Sequence, residues 1–201
     1  MTKGIAILDG DGVLLDFNSA YAVAWQRAFG VLPQLRDANA YWPQGRWDVP
    51  LLEHEKLAHF RSMFDEQFWS TIPAIDGAID ACKQLTYAGY ELICVTALAS
   101  KFQSARFKNL QDLGFPIGRV ITTSSESIAG VSPKAKVVQE LGAVFFLDDY
   151  LPYMKGFTSS THLALITREP NGSPNVGAEL GVVHSSHKDL AAFAEFWLNR
   201  T

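Results

Sequence analysis

An apolar run that ends in two closely spaced aspartates constrains the fold of this chain more than any other feature. The segment 5–8 reads IAIL, and it is followed at 9–13 by DGDGV. The run is apolar at every position and bounded by turn-forming residues, which indicates a short strand buried on both faces. The two carboxylates therefore stand at the carboxyl end of a strand, where open α/β sheets bind their ligands.

Asp9 and Asp11 are two residues apart, so their side chains share one face while the strand stays extended. Close like charges resist joint ionisation unless a cation neutralises them. One carboxylate can then act as a nucleophile while the other acts as acid and base, or both can face Mg²⁺, which prefers oxygen ligands. The simpler possibility is an Asp-Gly turn that closes a hairpin. The rest of the chain has to decide between them.

Composition narrows the classes of function. The chain has 201 residues, of which 48% are hydrophobic and 19% charged, and its net charge is −4. These values are ordinary for a globular protein of one core domain with a modest insertion, and they give no support for a nucleic-acid polymer as partner. No apolar run is long enough to cross a membrane, and no signal peptide fits before the first strand. We therefore expect a cytoplasmic protein, with Cys82 and Cys94 as reduced core residues.

The stretch from 17 to 73 differs in character from the rest. The sequence predicts a helix that is capped by Asn18 or Ser19 and ends at Phe29. A second helical pattern covers Pro50–Trp69, and no strand pattern lies between the two. We therefore predict a small helical insertion over 17–73.

The aromatic residues of this insertion are expected to form its core, because such side chains dominate buried packing. The segment 41–47 is aromatic but broken by proline and glycine, which predicts a loop. Arg46, Trp47 and His54 could nevertheless face a substrate.

Strand and helix patterns alternate after residue 73. This alternation predicts an α/β core of residues 1–16 and 74–201, with a parallel sheet covered by helices on both faces. The predicted strands are 91–96, 119–122, 144–149, 162–166 and a short edge strand at 181–184; the predicted helices are 74–87, 101–113, 133–141, 152–157 and 188–198.

Three further polar positions stand where these elements begin or end. Thr96 ends a strand, Lys134 opens a helix, and Asp148-Asp149 follow a phenylalanine-rich strand. Alone, Thr96 is an ordinary strand residue and Lys134 an ordinary helix-start residue. Two acids after an apolar strand are costly unless they meet a cation or donors. Together with the first motif they predict a pocket for phosphoryl transfer with Mg²⁺.

In this order the motifs resemble those of the haloacid dehalogenase (HAD) superfamily over nearly the whole chain. The family's Asp-x-Asp-Gly-(Thr/Val) matches 9–13, its strand ending in Thr or Ser matches 95–97, its lysine matches Lys134, and its paired acids match 148–149. Lys136 competes with Lys134 for the third role; we favour Lys134 because it lies at the helix start. The resemblance implies a Rossmann-like core with a cap between the first two motifs, which is where the helical insertion lies.

The resemblance also implies roles for these residues. Asp9 would attack phosphorus and form an aspartyl-phosphate, and Asp11 would protonate the leaving oxygen and then activate water. Thr96, Ala97 and Lys134 would hold the phosphoryl group. The implied Mg²⁺ ligands are Asp9, Asp11 through its carbonyl, Asp148 and Asp149.

We therefore predict a Mg²⁺-dependent phosphomonoester hydrolase acting on a small phosphorylated metabolite. Residues 9–17 and 69–96 also loosely resemble the 5'-deoxyribonucleotidase branch, including the Ile-Pro-x-x-x-Gly segment at 72–77. A non-catalytic HAD-like protein that binds phosphate or a partner also stays possible. So does a phosphotransferase that passes the phosphoryl group to a second alcohol. The sequence does not determine the oligomeric state.

Overall fold

A computed structural model describes residues 3–127, 130–158 and 160–200. The expected lack of a signal peptide rests partly on Met1 and Thr2, which lie outside these ranges. Within the described ranges, six strands form one sheet in the order β3-β2-β1-β4-β5-β6, and every neighbouring pair is parallel. The strands are β1 Gly4–Leu8, β2 Tyr90–Ala97, β3 Arg119–Thr123, β4 Phe145–Asp148, β5 His162–Ile166 and β6 Ser185–His187.

The helices lie between and beside these strands, as the alternating pattern predicts. Short 3₁₀ helices occupy Ser100–Phe102, Leu151–Met154 and Ala178–Val182. The α-helices are α1 Phe17–Phe29, α2 Pro43–Arg46, α3 His54–Ser62, α4 Glu66–Trp69, α5 Ala78–Tyr87, α6 Gln103–Asp112, α7 Ala135–Glu140 and α8 Leu190–Leu198.

The core lies on both faces of the sheet, because successive side chains of a strand point in opposite directions. In β1, Leu8 belongs to a hydrophobic cluster that includes residues of α5, α6 and α8. Its neighbour Ile7 belongs to a separate cluster that includes Val138 of α7. The prediction of a parallel α/β sheet with helices on both faces is confirmed.

The register brings the polar strand ends together. Leu8, the last residue of β1, is paired with Cys94 on one side and Leu147 on the other. Asp9 therefore follows β1 at the level where Asp148 ends β4. Thr96 lies two residues beyond Cys94 on β2. Since all strands run the same way, these residues share the carboxyl edge of the sheet.

Two predicted boundaries in the insertion are wrong for local reasons. The first helix is capped by Asp16, not by Asn18 or Ser19: the Asp16 side chain accepts from both the N–H and the hydroxyl of Ser19. The helical pattern over Pro50–Trp69 is two helices, α3 and α4. The second helix has its own cap, because Asp65 accepts from the N–H of Phe68, and this interrupts the first.

Two boundaries in the core also differ. The helix predicted over 74–87 starts only at Ala78, because Ala74 bridges to Leu15 and Gly77 has a φ of 78°. The edge strand is Ser185–His187 rather than 181–184. Residues 178–182 turn as a 3₁₀ helix instead. Valine favours strands, which is why 182–183 were predicted as part of one, but the paired register with β5 begins only at Ser185.

The aromatic residues of the insertion pack mainly on one another, as expected. Phe60 is 3% exposed, and its ring centroid lies 5.0 Å from that of Tyr21 and 5.2 Å from that of Trp25. These rings belong to the same cluster as Leu14, which follows β1. The division into core and insertion at residues 16 and 73 stays a prediction.

Among the described residues, none of the helices is both long enough and apolar enough to cross a membrane. Cys82 and Cys94 are free thiols, and both are buried as predicted.

Candidate active site

Asp9 is the first residue beyond β1, and both its backbone and its side chain are held. Its N–H donates to the carbonyl of Leu147 over 2.9 Å, which extends the β1–β4 ladder by one residue. Its Oδ1 accepts from the N–H of Gly10 over 2.7 Å. The side chain is 9% exposed. Asp9 therefore presents a carboxylate of fixed orientation at the sheet edge.

Lys134 connects two of the predicted acids. Its Nζ lies 2.7 Å from Oδ1 of Asp9 and 2.6 Å from Oδ2 of Asp148, and its side chain is completely buried. Burial alone would lower the pKa of Lys134, but the charges of Asp148 and Asp9 raise that pKa above its ordinary value. The ammonium therefore stays charged. Lys136, the competing lysine, is 83% exposed and lies near Glu140.

Three carboxylates form a group that fits a divalent cation. Asp9, Asp148 and Asp149 each offer one oxygen, and these oxygens lie within 4.8 Å of one another. Lys134 supplies one positive charge against three carboxylates, so the group has an excess of negative charge when all three acids are ionised. Hard oxygen donors of this kind suit Mg²⁺. The donor set therefore fits the metal that the sequence resemblance implies.

The protonation of these acids reflects the same crowding. Burial raises the pKa of Asp148 to about 7, and the nearby charge of Asp9 adds to the rise. Burial also raises the pKa of Asp149 well above its ordinary value, together with the charges of Asp148 and Asp9. A bound cation would lower both pKa values because it favours the charged carboxylates. Binding of a cation here would therefore be coupled to the release of protons.

The turn that carries Asp149 is fixed from three directions. The Asn175 Nδ2 donates to the Asp149 carbonyl over 2.7 Å, and its Oδ1 accepts from the N–H of Leu151 over 2.8 Å. The hydroxyl of Tyr41, from the insertion, donates to the same carbonyl over 3.3 Å. The Asp149 side chain lies against Gly12, where a Cβ would come within 2.1 Å of Oδ2.

Asp11 lies apart from this acidic group. Both of its carboxylate oxygens accept from Nη2 of Arg106, over 2.8 and 2.9 Å. Burial raises the pKa of Asp11, the charge of Asp9 adds to the rise, and the charge of Arg106 opposes it. The Asp11 carboxylate is not among the three clustered acids. A metal role through the Asp11 carbonyl stays a prediction.

Thr96 and Ala97 end β2 beside the first motif. Thr96 is 1% exposed, and its hydroxyl is close enough to Gly10 that a Cβ there would lie 3.1 Å from Oγ1. Both residues line the same cavity as Asp9 and Asp11. The predicted phosphate-binding residues are thus brought to the predicted nucleophile, and their roles stay predictions.

A cavity of about 370 Å³ opens over these side chains. Its volume is at the lower end of small-molecule sites. Aromatic side chains from both parts of the chain form much of its wall, together with an ion pair in which Arg168 lies 2.6 Å from Glu169. The aromatic residues that line the cavity are Phe17, Tyr41, Trp42, Tyr150 and Tyr153.

The insertion reaches the cavity through residues that differ from those anticipated. Arg46, Trp47 and His54 do not line it; Tyr41 and Trp42 do. The Trp47 indole instead donates to the backbone carbonyl of Asn18. The aromatic run at 41–47 was a usable signal, but its loop and the short helix α2 decide which rings point inward.

Sequence reasoning also missed Arg106, which contacts Asp11. The signal was present in the pattern of α6. The apolar face of that helix carries Ala105 and Leu110, which are buried, and Arg106 and Asn109 lie beside them. A charged residue on a buried helix face requires a partner.

Comparison with known proteins identifies the fold. Neither a family model nor a curated protein sequence matches this chain. Among solved structures, the chain is similar to a HAD family hydrolase from Deinococcus radiodurans R1 with bound phosphate and sodium (17% identity, 98% of each chain, TM-score 0.64). It is also similar to the Bacillus subtilis HAD-hydrolase YfnB bound to magnesium (15%, 98% of this chain and 99% of that one, 0.61).

A third similar structure is that of a protein predicted to be a phosphoglycolate phosphatase from Haemophilus somnus 129pt (15% identity, 98% of this chain and 99% of that one, TM-score 0.59). At these identities the similarity concerns the fold. The resemblance that the motifs suggest is thereby confirmed at the level of architecture.

Proposed function

We propose that this chain, which has the fold of HAD-family hydrolases, is a Mg²⁺-dependent hydrolase of phosphomonoesters. One observation carries the proposal. Lys134 lies between Asp9 and Asp148, with Asp149 beside them, at the carboxyl edge of the sheet. Asp9 and Asp149 line the cavity, and Lys134 and Asp148 lie buried directly behind them. Such a group of one lysine and three carboxylates can hold a divalent cation and a phosphoryl group together.

In this proposal Asp9 attacks the phosphorus atom through its carboxylate. The bond from Asp9 to phosphorus forms as the phosphorus–oxygen bond of the ester breaks, and Asp11 gives a proton to the departing oxygen. Asp11 then takes a proton from water, which attacks phosphorus and releases Asp9 and inorganic phosphate.

Thr96, Ala97 and Lys134 hold the phosphoryl oxygens during both steps. Asp9, Asp148, Asp149 and the carbonyl of Asp11 would hold Mg²⁺, which neutralises the phosphoryl oxygens when bound.

Asp11 favours phosphate esters over halogenated substrates. An alkoxide is a poor leaving group and needs a proton, whereas a halide leaves without one. Asp11 lies on the cavity wall, and its carboxylate is held by Arg106 rather than by the acidic cluster. These contacts support the proposed role of Asp11 as the proton donor for the leaving oxygen.

The substrate is a small phosphorylated metabolite, given a cavity of about 370 Å³. The rings of Phe17, Tyr41 and Trp42 on its wall favour a second candidate, a 5'-nucleotide whose base would stack on them. A panel of about a hundred phosphate esters, chosen for breadth because one fold hosts many substrates, separates the two. Preference for nucleoside monophosphates over sugar phosphates would favour the second candidate.

The Asp9→Asn variant tests the proposed reaction. We expect phosphate release from an aryl phosphate to fall by about a thousandfold or more, because the nucleophile is lost. EDTA should abolish the wild-type activity, and Mg²⁺ should restore it. Asp80→Asn, at an exposed position on α5, is the matched control and should retain full activity. A nearly normal rate for Asp9→Asn, or activity that survives metal removal, would contradict the proposal.

Binding and product measurements test the two remaining functions. A non-catalytic protein would bind Mg²⁺ and vanadate in a calorimeter without releasing phosphate from any ester. A phosphotransferase would transfer the phosphoryl group to an added alcohol, so the ratio of phosphorylated alcohol to free phosphate would rise with the alcohol concentration.

A further inference from the structure

Arg106 on α6 is a charged side chain that the proposed reaction does not use. Its side chain is completely buried, and among the described residues no other arginine is. Its Nη2 contacts both oxygens of Asp11, while its Nε and Nη1 have no hydrogen-bond partner. Burying a guanidinium costs free energy that a single ion pair offsets only in part, so a buried arginine with one charged partner requires an explanation.

The surroundings of Arg106 hold the guanidinium in one place. Its Cζ lies 5.2 Å from the centre of the Trp69 ring, a distance typical of a cation–π contact. On another side it lies against the first motif, where a Cβ on Gly10 would come within 3.7 Å of the same atom. Arg106 is therefore packed between an aromatic ring and the backbone that follows β1. It does not line the cavity.

Two buried cations thus divide the carboxylates of the site into two groups. Lys134 lies between Asp9 and Asp148, on the β4 side of the first motif. Arg106, on the helix that follows β2, takes Asp11 alone. The Asp11 carboxylate is thus paired with Arg106 and is not one of the three clustered acids.

We propose that Arg106 is a positioning residue that holds Asp11 in the orientation for proton transfer to the leaving group. The inference rests on the proposed phosphomonoester hydrolysis. As the phosphorus–oxygen bond breaks, its electron pair goes to the ester oxygen, which takes the proton of Asp11. The carboxylate left on Asp11 is then stabilised by the Nη2 of Arg106. Without Arg106, Asp11 remains an acid, but it loses both its fixed orientation and the cation that stabilises its carboxylate, so the proton donor is misplaced.

The test compares leaving groups. We compare kcat/KM of the wild type and of Arg106→Met on two substrates. An alkyl phosphate needs a proton on its leaving oxygen far more than an aryl phosphate does, because the phenol that leaves an aryl ester is acidic. We expect Arg106→Met to lower kcat/KM about a hundredfold for the alkyl ester and markedly less for the aryl ester. Asp11→Asn should show the same selectivity, and the double variant should be no worse than Asp11→Asn on the alkyl ester. Equal losses on both esters, or no loss, would overturn the proposal.

A second variant guards against a folding defect. Arg106→Lys keeps a buried positive charge, but its ammonium cannot reproduce the planar fork of a guanidinium. The melting temperature of Arg106→Lys should be close to that of the wild type. Its kcat/KM should nevertheless fall roughly tenfold, and only for the alkyl ester. Wild-type behaviour of Arg106→Lys would overturn the proposal. So would a raised KM for both esters with unchanged kcat, which would show that Arg106 binds substrate.

Lys108→Met is the matched control, because Lys108 is an exposed cation on the same helix, paired with Asp112. It should leave both esters unaffected. The wild-type protein and Asp9→Asn are measured in the same series. If neither releases phosphate, the proposed function fails; if only the leaving-group selectivity is absent, the role of Arg106 fails.

Discussion

Lys134 holds two acids that would otherwise repel each other. Its ammonium lies within 2.7 Å of Asp9 and 2.6 Å of Asp148, and neither Lys134 nor Asp148 is exposed. A buried ion pair adds little net stability, but removal of one partner leaves charges without compensation. The stability of the metal-free protein therefore depends strongly on the ammonium of Lys134.

Replacement of Lys134 by Met should destabilise the metal-free protein. We expect the free energy of unfolding to fall by roughly 3 to 5 kcal/mol in EDTA, because buried carboxylates lose their cation. Mg²⁺ should recover part of this loss by supplying positive charge to the same oxygens. Denaturant unfolding with and without Mg²⁺ measures both effects. Lys136→Met, at an exposed position on α7, should change neither, and equal destabilisation by the two variants would refute this account.

At the scale of the element, the loop after β1 matters because its backbone comes close to the turn after β4. Gly12 has a φ of 81°, and a Cβ there would lie 2.1 Å from Oδ2 of Asp149. Only glycine combines that conformation with that close approach. The loop thus determines where Asp149, the last acid of the proposed metal-binding group, can lie.

Gly12→Ala should therefore weaken Mg²⁺ binding as well as strain the backbone. Displacement of Asp149 is expected to raise the Kd for Mg²⁺ by about tenfold or more, on the scale seen when residues supporting metal ligands are removed. Calorimetric titration with Mg²⁺ measures this change. Gly30→Ala is the control: Gly30 has a φ of 76° but nothing within 4 Å of the added Cβ. It should cost stability alone, so an unchanged Kd in Gly12→Ala would count against the role of Gly12.

The elements show what the sequence could and could not predict. Apart from the edge strand β6, the strands were predictable: β1 and β5, for example, are short apolar runs bounded by turns, and their bounds match closely. Helix starts were less predictable, because side-chain caps such as Asp16 compete with neighbouring candidates. In the site, Asp9 directly follows β1 and Lys134 directly precedes α7, so the sequence pattern that marks these elements also marks the two residues. Arg106 was missed because its partner, Asp11, is ninety-five positions away in sequence and only the packing of α6 brings them together.

At the scale of the whole molecule, the acidic group makes stability depend on pH. The pKa of Asp148 is raised to about 7, mainly by burial. Between about pH 4 and about pH 7, Asp148 therefore carries a proton in the folded, metal-free protein but not in the unfolded chain. In that window the free energy of unfolding contributed by Asp148 falls as the pH rises. In the proposed function Mg²⁺ would bind the deprotonated acids, so its stabilising effect should increase as the pH rises.

Mg²⁺ should therefore raise the melting temperature more at about pH 8 than at about pH 5. Thermal unfolding in Mg²⁺ and in EDTA at both pH values measures the difference, which we expect to be a few degrees. In Asp148→Asn the benefit of Mg²⁺ should be small at either pH. A stabilisation of equal size at the two pH values in the wild type would contradict the assignment of Asp148 to the metal.

The hydroxyl of Tyr41 donates to the carbonyl of Asp149, so a residue of the insertion is attached to the turn that carries one of the three clustered acids. Binding equilibria are reciprocal. A ligand in the cavity that draws the insertion towards the sheet would then raise the affinity of the site for the metal ion. The metal ion would raise the affinity for that ligand by the same factor. Affinity for either partner, measured alone, would underestimate how firmly the two are retained together.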